Sequence, residues 1–228
     1  KASCLAFHPN SLILRPNPTL SAGTCSARSI ARPALARASR GPLWSAVTKA
    51  EFIQVCKSGP KNGVGSSEEL ASKVKAMCEE LISPTQKIAT SSIVDGVWRL
   101  IFTTTTGSSG GKLGPFVGDV DQDIRYGDGK YYNILRLGPV EAILSAHWDV
   151  VDDDKWDVTF DDIKLAVFGL TIVDKEFGSE RDQTLETLDT VAGGDSTARS
   201  TTNGGTWDLK YADASLRVLY AYGTGKDP

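Results

Sequence analysis

A chain of 228 residues, 40% hydrophobic and 23% charged, holds enough apolar material for one folded domain with an extension. No stretch approaches the roughly 18 apolar residues of a membrane-crossing helix. The net charge of −3 is split unevenly: residues 1–50 hold five Arg, two Lys and no carboxylate (+7), so the remainder carries −10. An acidic body argues against nucleic-acid binding, because phosphate recognition needs a cationic surface.

The N-terminal stretch is rich in Ser, Ala and Arg, dotted with proline and free of acid. That composition predicts a chloroplast or mitochondrial transit peptide over residues 1–45, with a processing zone near Arg37–Arg40. The other reading is a basic extension that stays on the protein and docks on an acidic or lipid surface. No long apolar core precedes a small-residue cleavage site, so a secretory signal does not fit. The four cysteines, Cys4, Cys25, Cys56 and Cys78, match neither C-x-x-C nor zinc spacing and read as buried or idle thiols.

Residues 46–84 read as a linker and one amphipathic helix. "KSGPKNGVGSS" at 57–67 is Gly/Ser-rich. Ser66 with Glu69 predicts a capping box. Leu70, Val74, Cys78 and Leu81 then fall on one stripe beside Met77, and Pro84 stops the helix. Its outer face mixes Glu and Lys, so it is expected to pack on the following domain.

From residue 85 onward the pattern is strands broken by turns. The runs are "VWRLIFTTT", "VGDVDQDIRY", "YYNILRL", "VEAILSAHWDVV", "WDVTF", "IKLAVFGLTIV", "GTWDLKYAD" and "LRVLYAYG". A polar insert, 174–203, precedes the last two. Eight strands with mostly short turns predict a mainly β fold, an antiparallel up-and-down barrel, because closure removes the edges. Alternation places Trp98, Leu100 and Phe102 on one face, and Trp156, Val158 and Phe160 on another. Ile143 shares a face with Ser145 and His147; Leu144 shares the other with Ala146 and Trp148. Alternation does not say which face is inward, nor whether the lumen is hollow or filled.

The chain holds few groups for catalysis. His8 and His147 are its two histidines, and no G-x-S-x-G occurs. His147, Asp149 and Glu141 form no recognisable constellation. The acidic turns at Asp152–Asp154 and Asp161–Asp162 lack EF-hand spacing. "GSSGGKL" lacks the first Gly of a phosphate loop and has Leu113 where Ser or Thr should follow the Lys. The expectation is a non-enzymatic protein with no metal site.

Three stretches in register resemble the plastid lipid-associated protein/fibrillin (PAP/fibrillin) domain: "SPTQKIATSSIVDGVWRLIFTTT", "VGDVDQDIRY" and "GTWDLKYADASLRVLYAYG", spanning about residues 84–222. The resemblance implies a lipocalin-like barrel and a plastid protein associated with thylakoids or plastoglobules. It implies no enzyme activity and a bound lipid, carotenoid or quinone. It marks Gly96, Trp98, Tyr211, Asp213, Leu216 and Arg217 as the structural motif. Trp98 would close the barrel floor, Gly96 would let the chain pass close by, and Arg217 would stack on Trp98. Asp213 would pair with Arg217 or cap the preceding turn. The implied ligand contacts are Trp98, Leu100, Phe102, Ile143, Trp156, Phe160 and Arg217. The partner is a thylakoid membrane or plastid lipid. The alternative is a structural peripheral subunit of a photosystem or antenna complex, with a filled barrel core. The Gly/Ser-rich loop after Thr106 and the acidic insert depart from the family pattern and leave room for that alternative.

Overall fold

The computed structural model describes residues 3–9, 47–82, 87–105, 108–177 and 204–223. The proposed processing zone and most of the polar insert lie outside the described residues.

Two helices precede most of the sheet. Helix α1 (Lys49–Ser58) starts at Thr48, whose hydroxyl accepts from the Glu51 amide while the Glu51 carboxylate accepts from the Thr48 amide at 2.9 Å. This reciprocal cap satisfies donors that the first helical turn leaves free. Helix α2 (Glu68–Leu81) is capped by Ser67 rather than Ser66: the Ser67 hydroxyl accepts from the Leu70 amide. The predicted stripe is correct in kind. Val74 and Cys78 are fully buried, with Leu70, Met77 and Leu81 packed beside them.

The stretch that reads as a linker is packed down. Asn62, in a left-handed conformation within a short 3-10 turn (Lys61–Gly63), donates from its amide to the carbonyls of Gly110 and Gly118 at 3.0 and 2.9 Å. Gly63, at φ +74, lies so close to Phe102 that a Cβ would meet the ring at 2.8 Å. Composition flagged the flexibility of this segment, but one buried amide fixes it.

The sheet strands are β1 (Ser3–Pro9), β2 (Gly96–Thr103), β5 (Asp119–Arg125), β6 (Lys130–Leu137), β7 (Val140–Asp152), β8 (Lys155–Val167), β9 (Leu170–Glu176), β10 (Gly204–Ala212) and β11 (Arg217–Gly223). A separate small hairpin is made by β3 (Lys112–Leu113) and β4 (Phe116–Val117). Every pairing is antiparallel. The barrel closes through eight strands in the order β1, β2, β5, β6, β7, β8, β10, β11 and back to β1.

Two features depart from the sequence expectation. "IKLAVFGLTIV" is not one strand. It is the end of β8, a turn at Phe168–Gly169 with both residues at positive φ, and most of β9. β8 therefore pairs twice: Lys155–Thr159 with β10, and Asp162–Val167 with β9. The eighth stave is instead β1, from the stretch that composition assigns to a leader. It pairs with β11 on one side and β2 on the other.

The core has two layers. Side chains from all eight staves fill the interior, joined by Ile88, Ala89 and Val94 at the end where β2 begins. A second cluster lies outside, where Phe52, Cys56, Val74 and Cys78 of the helices pack on Ala6, Ile101, Phe102, Val218 and Tyr220. The helices thus cover β11, β1 and β2 from outside. Burial on this scale is the main favourable term in folding.

Candidate functional site

The barrel has a closed end and an open end. At the closed end the segment before β2 plugs the floor. The Trp98 indole donates to the Val94 carbonyl at 2.8 Å, and the Trp156 indole donates to the Ala89 carbonyl at 3.0 Å. Gly96 sits at φ +124, and a Cβ there would meet nothing closer than 3.9 Å. Its glycine is required by backbone conformation rather than by the close passage expected.

Arg217 is fully buried inside the barrel. Its guanidinium carbon lies 5.4 Å from the centre of the Trp98 ring and 4.5 Å from that of Phe7, and it donates to the Gln122 side-chain oxygen. Burial lowers its pKa to about 9, with nearby Tyr131 acting in the opposite direction. Asp213 does not pair with Arg217. It caps the turn between β10 and β11, accepting from the Ser215 and Leu216 amides at 2.7 and 2.9 Å. It also receives the Tyr211 hydroxyl at 2.7 Å and the Lys49 ammonium at 2.6 Å, which ties α1 to that turn. Burial works against its ionisation, but Lys49, Tyr211 and Ser215 outweigh it and hold the carboxyl well below the usual range. Leu216 is fully buried under the helices.

Aromatic rings fill the closed half. Trp148 stacks on Trp156 at 4.2 Å between ring centres, and Tyr131 lies 4.7 Å from Trp207. Trp98, Leu100 and Trp156 are buried in this interior, and Phe160 packs against it. The Tyr131 hydroxyl and two Arg217 nitrogens are buried without a hydrogen-bond partner among the described residues. These groups suit a ligand oxygen in chemistry, and the rings around them make the closed half packed core.

Two of the expected contacts lie elsewhere. Phe102 belongs to the outer cluster under the helices, not to the face of Trp98 and Leu100. On β2, Leu100 opposes Phe7 and Phe102 opposes Ala6, so Ile101 is the extra residue of a bulge that reverses the alternation. Ile143 is half-buried on the outward face of β7, since Ala146 and Trp148 are the interior residues there.

The open end has a different character. Beyond Thr159, β8 leaves β10 and pairs with β9, so the inner face of β6–β9 is not closed over by β10. That face carries Leu135, Ala142, Leu144, Ile163, Leu165 and Val167 in register, most of them half-buried. At its rim Phe168, Leu170 and Ile172 are 82%, 73% and 60% exposed. The rim turns adjoin each other: the Phe168 amide donates to the Pro139 carbonyl at 2.9 Å. Alternation missed this site, although apolar residues on both faces of "LAVFGLTIV" were its signal.

His147 pairs with Asp161 at 2.6 Å, while Ser145 donates to Asp162. Glu141 is bonded to Arg136 and Asp149 is exposed, so these groups are not brought together. Two surface concavities, about 650 Å³ beside α1 and 220 Å³ between the 3-10 turn and β2, both lie outside the barrel.

The PAP_fibrillin family profile matches residues 48–219, which takes in both helices and nearly all of the sheet after them. The chain belongs to the plastid lipid-associated protein/fibrillin family. No curated protein and no solved structure matches it. PAP/fibrillin proteins are plastid-associated and generally non-enzymatic, and the closed barrel with helices before β2 is consistent with a lipocalin-like fold. In this PAP/fibrillin chain the matched region starts at Thr48, the cap of α1, so β1 lies outside the family match.

Proposed function

We propose that this PAP/fibrillin protein is a non-enzymatic plastid protein that attaches to a thylakoid or plastoglobule lipid surface by the open end of its barrel. There it holds a lipophilic molecule (lipid, quinone or carotenoid) on the inner face of β6–β9. The observation that carries the proposal is the rim of Phe168, Leu170 and Ile172, continuous with a half-buried apolar sheet face. Solvent-exposed aromatic and aliphatic side chains clustered at one pole mark an interaction surface. Burying several in lipid gives a useful binding energy.

The test is flotation of the protein with vesicles of plastid lipids, followed by mass spectrometry of an organic extract of the natively isolated protein. Vesicle binding with a stoichiometric lipophile supports the reading, and a protein that stays in the dense fraction without a lipophile overturns it. The filled closed half favours a second reading, a structural peripheral subunit of a photosynthetic membrane complex. That reading expects no extractable ligand and a large co-migrating assembly in mild detergent.

A further inference from the structure

Strand β1 occupies its place in an unusual way. Its neighbours β2 and β11 are pinned by other means: β2 pairs with β5, β11 pairs with β10, and α1 and α2 pack across the outside of both. β1 lies between them and pairs with each in antiparallel register, with Leu5 opposite Thr103 and Leu219, and Ala6 opposite Phe102 and Val218. It is joined to the rest of the chain through residues 10–46 alone.

The slot that β1 fills reads side chains as well as backbone. Leu5 and Phe7 point into the interior, where Phe7 lies over Arg217. Ala6 points outward beneath the helices and is fully buried in their cluster. A larger residue at position 6 would collide with the helix layer. A small or polar one at 7 would uncover the guanidinium. The slot therefore selects a large–small–large apolar triplet on an extended backbone, the recognition mode of strand addition to a sheet.

We propose that the slot between β2 and β11 is a strand-acceptor site, and that the Ser3–Pro9 segment is its exchangeable occupant. Residues 10–46 join that segment to the rest of the chain, so its pairing with the slot is intramolecular and governed by an effective concentration. If the basic leader is processed, any cut between residues 10 and 46 severs β1 from the barrel. The severed segment is then held in the slot by its pairing alone and can exchange with a free peptide of the same sequence, a step that rests on the leader reading while the acceptor site itself does not.

The experiment uses the full-length chain carrying F7S, which removes the ring that covers Arg217 without adding a charge, and a fluorescent peptide of residues 1–10 under reducing conditions. The F7S chain is expected to take up one wild-type peptide per barrel, at least tenfold more tightly than the wild-type chain does. Hydrogen exchange of the β2 and β11 amides is expected to slow when the peptide binds. A peptide carrying F7S is expected not to bind. A folded F7S chain that takes up no peptide overturns the proposal, and so does equal uptake of both peptides. If F7S does not fold, F7A in the chain serves with the same outcomes.

Discussion

The guanidinium of Arg217 lies over the rings of both Phe7 and Trp98, at 4.5 and 5.4 Å. Residues from the start, middle and end of the chain thus meet at one buried cation. Its planar shape matters more than its charge, because the flat guanidinium stacks on aromatic faces and an ammonium does not. Arg217→Lys is expected to destabilise the barrel by about 2 kcal/mol. Arg217→Met should cost less than Arg217→Lys, since an apolar side chain of similar volume removes the burden of burying a charge. Urea denaturation of both variants checks the order, and a more stable Lys variant would contradict it.

At the open rim, Phe168, Leu170 and Ile172 are so exposed that a triple serine variant should unfold within about 0.5 kcal/mol of the parent. The same variant should lose roughly 1000-fold or more in partition onto plastid-lipid vesicles, because each of the three large apolar side chains contributes about 1.5 kcal/mol or more when buried in lipid. Paired denaturation and vesicle-flotation curves test both halves.

Asp213 gives the stability a dependence on acid. Its folded pKa lies below its unfolded value, so the unfolded chain binds more protons as pH falls. The contribution is present in full above the ordinary carboxylate pKa of about 4 and is lost progressively below it. Asp213→Asn should flatten the stability curve between about pH 4 and pH 2. An unchanged acid limb in thermal melts would count against this.

The Cys56 thiol is pushed up to about 12 by burial, with Cys78 beside it adding to the effect. Only the thiolate reacts quickly. Iodoacetamide at pH 8 should therefore leave Cys56 unmodified in the folded protein and alkylate it after denaturation, as read by peptide mass spectrometry.

Asn62→Ala should cost about 2 kcal/mol, since it strands the carbonyls of Gly110 and Gly118. Hydrogen exchange should show the loss concentrated between β2 and the β3–β4 hairpin.

The fold was legible where a local pattern dominates. Alternation placed the strands after residue 95, and the 3.6-residue stripe placed α2. The Gly96–Trp98 and Tyr211–Arg217 motifs led to the barrel floor and its turn. Failures came where one residue overrides a pattern. The bulge at Ile101 turns Phe102 outward. The turn at Phe168–Gly169 divides one apolar run between two strands. Asn62 anchors a stretch whose composition suggests freedom. β1 was hidden for another reason: its seven residues sit beside a long basic stretch, and its place depends on partners at the far end of the chain. Of the expected ligand contacts, Trp98, Leu100, Trp156, Phe160 and Arg217 lie in or against the interior while Phe102 and Ile143 face outward, because alternation groups residues by face without saying which face is inside.

The divided pairing of β8 makes closure unequal along the barrel axis. Near the floor each stave has two neighbours and the hydrogen-bond belt is continuous. Near the rim β9 takes over from β10. Two different ladders therefore share one strand: β8 closes the barrel with its first half and carries a flap with its second. Peeling β9 away at the rim would break only the upper ladder, so the closed ring below it would survive a local opening that exposes the apolar face of β7 and β8.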